Sequence, residues 1–127
     1  MPTMPSVTIL VEDSSKIREV LVPSMEELGN MQVVAIAETV EEALAALELH
    51  QAAWHVAVVD LFLREGSGLD VLRACQDRGA HQRVVVLTNY ATAEIRRRCL
   101  ALGANAVFDK STELDAFFDL CASWDGA

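Results

Sequence analysis

The sequence predicts one three-layer α/β domain, a parallel sheet with helices packed on both faces. Three observations lead there. First, Val7-Thr8-Ile9-Leu10-Val11, Ala57-Val58-Val59 and Val84-Val85-Val86-Leu87 are short runs of β-formers with little or no polar alternation, the mark of strands covered on both sides. Second, segments with helical spacing lie between these runs, and alternation of this kind implies βαβ units with right-handed crossovers. Third, 127 residues, 52% of them hydrophobic, suffice for one sheet and its covering helices but not for two cores.

Taken in order, the first strand gives way at Ser14 or Ser15 to a helix. Its apolar positions Ile17, Leu21, Met25 and Leu28 keep helical spacing up to Gly29. Pro23 lies inside it and removes one backbone bond, at about 3 kcal/mol in a regular helix, so a kink or break is expected there. Met31 to Ala37 reads as the second strand, and Thr39-Val40-Glu41-Glu42 has capping-box order for a helix through Leu44 and Leu47. The third strand lies within Trp54 to Leu63. Gly66-Ser67-Gly68 is a turn, followed by a helix marked by Leu69, Leu72 and Cys75 that ends near Gly79. The fourth strand ends at Thr88. The next helix carries Ile95, Cys99 and Leu102 on its apolar stripe and stops at Gly103. Its Arg96-Arg97-Arg98 run spreads around the helix, so most of it faces water, with a partner-docking patch as the alternative. Asn105-Ala106-Val107-Phe108 is a short fifth strand, and Leu114, Phe117, Phe118 and Cys121 share one buried face of the last helix.

Composition narrows the function classes. A formal net charge of -9 disfavours direct binding of nucleic acid or an anionic membrane, both of which need clustered cations. Met1 to Ser6 holds two prolines and lacks both a cationic start and a long apolar core, so no leader or anchor is read there and a cytoplasmic protein is expected. Cys75, Cys99 and Cys121 are odd in number and lack CxxC spacing, which points to reduced thiols. His50, His55 and His81 have no ligand spacing, and Trp54 and Trp124 read as packing residues. The Gly66 loop is not a phosphate-cradling loop, because GxxxxGK[ST] is absent.

The strand ends carry the chemistry. The first ends in Glu12-Asp13, the third in Asp60, the fourth in Thr88, and the fifth leads through Asp109 to Lys110. In open parallel sheets the working crevice lies at the strands' carboxyl ends, where these groups would gather. Three carboxylates brought together there repel by about 1–4 kcal/mol per pair. A hard divalent cation relieves the repulsion, and oxygen ligands with open positions suit Mg²⁺. A carboxylate beside such a metal can attack a phosphoryl group while a lysine neutralises the developing charge and a threonine donates a hydrogen bond.

In this order the residues resemble the receiver domain of bacterial two-component response regulators, from Val7 to about Cys121. The resemblance implies a flavodoxin-like (βα)5 fold with strand order 2-1-3-4-5, one receiver domain with its core over residues 7–124, and no effector domain after the last helix. It makes Asp60 the phosphoacceptor, fed by a histidine kinase or phosphotransfer protein. Asp13 becomes a direct Mg²⁺ ligand, with Glu12 acting through water, Asp60 alongside and the main-chain carbonyl of Phe62 completing the set. Thr88 and Lys110 hold phosphoryl oxygens, and Phe108 is the switch aromatic. Phosphate draws the Thr88 hydroxyl toward itself and Phe108 turns inward from solvent, so the face built from the last two helices and the fifth strand changes shape for an effector or for dimerisation. Such a protein catalyses only its own phosphorylation and dephosphorylation.

Two departures from the family pattern are present. Ser111 follows Lys110 where proline is common, and Arg64 stands where proline often lies four residues after the phosphoacceptor. Phe62 and Tyr90, two residues beyond Asp60 and Thr88, flank the path of hydrolysing water in the family; both are bulky, so slow self-dephosphorylation is expected. A haloacid-dehalogenase-like phosphatase shares a strand-end Asp, a hydroxyl, a Lys and Mg²⁺. It needs a second Asp at position 62, and its nucleophile normally ends the first strand. A flavodoxin-like redox module shares the fold, but Glu12-Asp13-Ser14-Ser15 would repel a flavin phosphate. A receiver-shaped interaction module that never takes phosphate is the further alternative, favoured if a reactive position were replaced, and none is.

Overall fold

The computed structural model describes residues 4–124; Met1 to Thr3, part of the segment read above as lacking a leader, lie outside them. The described chain runs β1 (Ser6–Val11), α1 (Ser15–Leu28), β2 (Met31–Ala37), α2 (Val40–His50), a 3₁₀ turn (Gln51–Ala53), β3 (Val56–Val59), α3 (Gly68–Ala74), β4 (Arg83–Thr88), α4 (Ala93–Ala101), β5 (Ala106–Asp109) and α5 (Leu114–Ala122). The strands form one parallel sheet in the order β2-β1-β3-β4-β5. The order is the flavodoxin-like one that the resemblance implies.

Strand periodicity divides the core in two. Ile9, Val11, Ala57, Val59, Val84 and Val86 face Ala43, Val71, Leu72 and Cys99 of α2, α3 and α4. Leu10, Val56, Val58, Val85 and Leu87 face Leu21 and Met25 of α1 and Phe117, Phe118 and Cys121 of α5. Both faces of the central strands are thus buried, which is why their sequences carry no polar alternation. Burial pushes the Cys75 thiol up to about 11 and Cys121 to about 12. All three cysteines are free and buried.

Several local expectations meet a different outcome. The break at Pro23 does not occur, since α1 is helical from Ser15 to Leu28. Proline deprives the carbonyl four residues back of its donor and crowds it. That residue, Glu19, is exposed along with Pro23, so water can serve the carbonyl while Leu21 and Met25 anchor the helix. Leu28, expected on the apolar face, is exposed. Helix α3 stops at Ala74, short of Gly79. At α2 the cap is shifted: the Thr39 hydroxyl accepts from the Glu42 amide, but the Glu42 carboxylate accepts from Glu38 N at 2.7 Å rather than from Thr39.

The arginine run also divides. Arg97 and Arg98 are exposed. Arg96 instead donates to the carbonyls of Ala91 and Val107 and to Glu113, fastening α4 to β5 and to the start of α5. Trp54 is buried and Trp124 lies under the Arg83 guanidinium at 4.7 Å, so both tryptophans pack.

Candidate functional site

The site occupies the carboxyl ends of β1, β3, β4 and β5. Asp60 follows β3 directly and is held on the backbone side by its neighbours. Its amide donates to the Val11 carbonyl at 2.9 Å, which ties it to the end of β1. Gly68 opens α3 so close by that a Cβ there would stand 2.2 Å from the Asp60 carbonyl oxygen, and no side chain fits. The loop between closes through a Gly68 N to Leu61 carbonyl bond of 2.9 Å and a Phe62–Ser67 bridge, and it docks on α2 where Val40 N donates to the Glu65 carbonyl. Arg64, in place of proline, exposes its guanidinium near Glu38, 3.9 Å away.

Glu12, Asp13 and Asp60 each bring a carboxylate oxygen within 4.8 Å of the others. Glu12 and Asp60 are buried, whereas Asp13 is half-buried. Lys110 reaches into this cluster, its ammonium donating to Glu12 Oε1 and, at 3.1 Å, to Asp60 Oδ2. Burial raises the Glu12 carboxyl above the ordinary carboxylate value, while hydrogen bonds from Lys110 and from the Ser14 amide pull against it. Together these side chains line an open cavity of about 190 Å³, shared with Ser14, Ile17, Phe62, Asn89 and Tyr90.

The sequence-predicted residues do not all stand at equal distance from the cavity. Thr88 is fully buried and does not line it; its hydroxyl accepts from the Tyr90 amide at 3.2 Å. Phe62 and Tyr90 form an edge-to-face pair at the rim, ring centroids 4.8 Å apart, and both remain largely exposed. Phe108 is half-buried and packs edge-to-face on Phe117 at 5.9 Å, so its ring already lies against the second core. Ser111 serves where proline is common: its amide, which proline lacks, donates to Asp109 Oδ1 at 2.7 Å, and Thr112 N donates to the same oxygen. That carboxylate turns the chain immediately after Lys110, and no cis peptide occurs among the described residues.

Sequence reasoning passed over Asn89, which lines the cavity from the loop after β4. It also passed over Arg18, whose guanidinium donates to the Glu12 carbonyl at 2.8 Å. Position after a strand end could have flagged Asn89; nothing in the spacing of Arg18 distinguishes it from any helix-surface arginine.

A parallel sheet of this order with an acid cluster and a lysine at its carboxyl edge defines a class of α/β proteins that do their work at the strand ends. Residues 8–121 match the model of the response regulator receiver domain. The chain belongs to that family. It is 32% identical over 105 residues to the photosynthetic apparatus regulatory protein RegA of Rhodobacter capsulatus, covering 83% of this chain and 55% of RegA. With the acid tolerance regulatory protein ActR of Rhizobium meliloti (strain 1021) it shares 34% identity over 107 residues, 84% of this chain and 53% of ActR. The chain thus spans about half the length of these curated relatives. Its fold is similar to that of the receiver domain of the response regulator NarL from Mycobacterium tuberculosis, with a TM-score of 0.79 at 23% identity over 94% of this chain and 98% of that one. Among the described residues no helix is long and apolar enough to cross a membrane.

Proposed function

We propose that this chain is a phosphoacceptor receiver whose Asp60 takes a phosphoryl group from a histidine kinase or phosphotransfer protein and passes the signal to a protein partner. The observation that carries this reading is the convergence of Glu12, Asp13, Asp60 and Lys110 from separate strand ends on one small cavity. A half-buried lysine shared between two carboxylates holds them together against their repulsion, yet leaves three acids for one cation.

The donor set fits Mg²⁺: crowded hard oxygens, one of them on a carboxyl whose burial disfavours its charge. Asp13, Asp60 and the Phe62 carbonyl would hold the ion, with Glu12 through water. When bound, it would supply positive charge to the carboxylates and to the incoming phosphoryl oxygens. The chain's own groups do the rest. An Asp60 oxygen attacks phosphorus as the P–N bond to the donor histidine breaks, and the imidazole nitrogen leaves with the electron pair. Lys110, drawn from Glu12 toward the new phosphoryl oxygens, neutralises them, and the Thr88 hydroxyl turns from the Tyr90 amide to donate to another.

Movement of Thr88 would carry the loop after β4 with it. Arg96 bonds that loop through the Ala91 carbonyl and bonds β5 through Val107, next to Phe108. The α4-β5-α5 face is therefore the surface on which partner binding or dimerisation would respond. On this reading the described residues form one receiver domain working in the cytoplasm. A phosphatase of the haloacid-dehalogenase kind finds no support, because Phe62 stands where its acid would be and offers no proton.

Intact-mass measurement tests the proposal. After incubation with acetyl phosphate and Mg²⁺, the wild type should gain one acid-labile phosphoryl group and Asp60→Asn none; equal labelling of both would remove it.

A further inference from the structure

The acid pair at the end of β1 is held by more than its own strand. Arg18, on the second turn of α1, places one nitrogen, Nη1, 2.8 Å from the main-chain oxygen of Glu12 and 2.9 Å from Glu38 Oε2. The Glu12 carbonyl belongs to the peptide that joins Glu12 to Asp13, so this bond fixes the plane from which the Asp13 side chain projects. Glu38, in the β2–α2 loop, is itself oriented: its amide donates to the Glu42 carboxylate at the start of α2. Its second carboxylate oxygen lies 3.9 Å from Arg64, on the loop that carries Phe62. One glutamate therefore connects the loops after β1, β2 and β3.

We infer that Arg18 and Glu38 are positioning residues for the divalent-cation site, holding the Glu12–Asp13 peptide in the orientation that metal binding requires. The inference rests on the receiver reading and goes beyond it, because neither side chain reaches the cavity.

Charge and position make opposite predictions here. Arg18 is a cation close to a site meant for a cation, so if its charge alone mattered, removing it would tighten Mg²⁺ binding. If it holds the peptide, removing it weakens binding. Outer partners of metal ligands are worth about 10- to 100-fold in affinity, and a contact made through the main chain falls at or below the low end, about five- to tenfold.

Isothermal titration of the full chain with Mg²⁺ alone, accompanied by thermal unfolding of each variant, distinguishes the two. Arg18→Gln is expected to raise the Kd for Mg²⁺ about five- to tenfold, and Arg18→Lys, which keeps donors able to reach both oxygens, to return it to within about twofold of the wild type. Glu38→Gln leaves Arg18 in place but loosens it, and should weaken binding about threefold, so the test survives if Arg18→Gln folds poorly. Unchanged or tighter Mg²⁺ binding in folded Arg18→Gln or Glu38→Gln overturns the inference and leaves the receiver reading standing, even if Tm falls. Failure of the wild type to bind Mg²⁺ overturns both.

Discussion

The two edges of the sheet treat their polar residues in opposite ways. At the amino edge Gln82, Arg78 and His55 are matched to backbone. Gln82, buried before β4, donates to the carbonyls of Gln51 and Trp54 and accepts from the Gly79 amide. Arg78 donates to the carbonyls of Cys75, Gln82 and Gly103, and the His55 ring accepts from the Val7 amide at 2.8 Å. The Arg78 guanidinium spends its charge on carbonyls. At the carboxyl edge three carboxylates cluster and one ammonium bonds two of them, Glu12 and Asp60. The first edge is finished by the fold, whereas the second leaves charge for something else to balance. Paired burial at one edge and surplus charge at the other separate stability from function within a single sheet.

That separation can be broken by exchanging the kind of residue lost. Asp13→Asn should abolish most Mg²⁺ affinity, a loss of about 100-fold or more and beyond that expected for any outer partner. The same change should raise metal-free stability by about 1 kcal/mol, since it removes the like charge that Asp13 places beside Glu12 and Asp60. Gln82→Ala should do the reverse. It leaves two carbonyls and an amide without partners and should cost about 2–3 kcal/mol in denaturant unfolding while Mg²⁺ affinity stays unchanged. If Asp13→Asn destabilised the chain as Gln82→Ala does, the contrast between the edges would fail.

A smaller effect sharpens the rim. Phe62 and Tyr90 meet edge to face above the acids, in the position to restrict water. Phosphorylated Phe62→Asn should lose its phosphoryl group several-fold faster than the parent, as followed by intact mass over time; an equal rate would show that the aromatic pair does not control hydrolysis.

The smallest effect concerns pH. Burial raises the folded-state Glu12 carboxyl above its ordinary value of 4.5, so the protonated form favours the fold. That contribution is complete below the unfolded value and is lost as pH rises through the folded one. Metal-free Glu12→Gln, which stays neutral, should therefore gain in Tm relative to the wild type as pH rises from about 4.5 toward 7. A constant difference would mean that Lys110 fully offsets the burial of Glu12.

The parts of this molecule that sequence made legible are those fixed by periodicity and by chain order. Strand runs such as Val84 to Leu87 had to be buried on both faces, and a charge directly after one could lie only at the sheet's edge, so Glu12, Asp13, Asp60 and Lys110 were placed by topology alone. What escaped depends on side-chain reach. Pro23 was read by its local cost, whereas the helix survives because the deprived carbonyl lies on the exposed side. The Arg96-Arg97-Arg98 run was read as mostly facing water, as Arg97 and Arg98 do, but which of the three turns inward was not legible: α4 aims Arg96 at Val107 and Glu113. Thr88 and Phe108 were located correctly along the chain, but the hydroxyl's bond to Tyr90 N and the ring's contact with Phe117 are matters of rotamer. Glu42 matched the capping-box spacing and bonded Glu38 instead of Thr39. That one-residue difference leaves Glu38 oriented toward Arg18, a connection no spacing rule contains.

The central claim is that ligand chemistry belongs to the carboxyl edge and its consequences to the α4-β5-α5 face. Backbone amide spectra recorded before and after adding Mg²⁺ with beryllofluoride, an acyl-phosphate mimic, test it most directly. The predicted shifts fall on Glu12, Asp13, Asp60 to Phe62, Thr88 to Tyr90 and Phe108 to Lys110 and continue into α4 and α5, while Gln82, Arg78 and His55 stay in place. Unchanged spectra, or shifts centred on the amino edge, would contradict it.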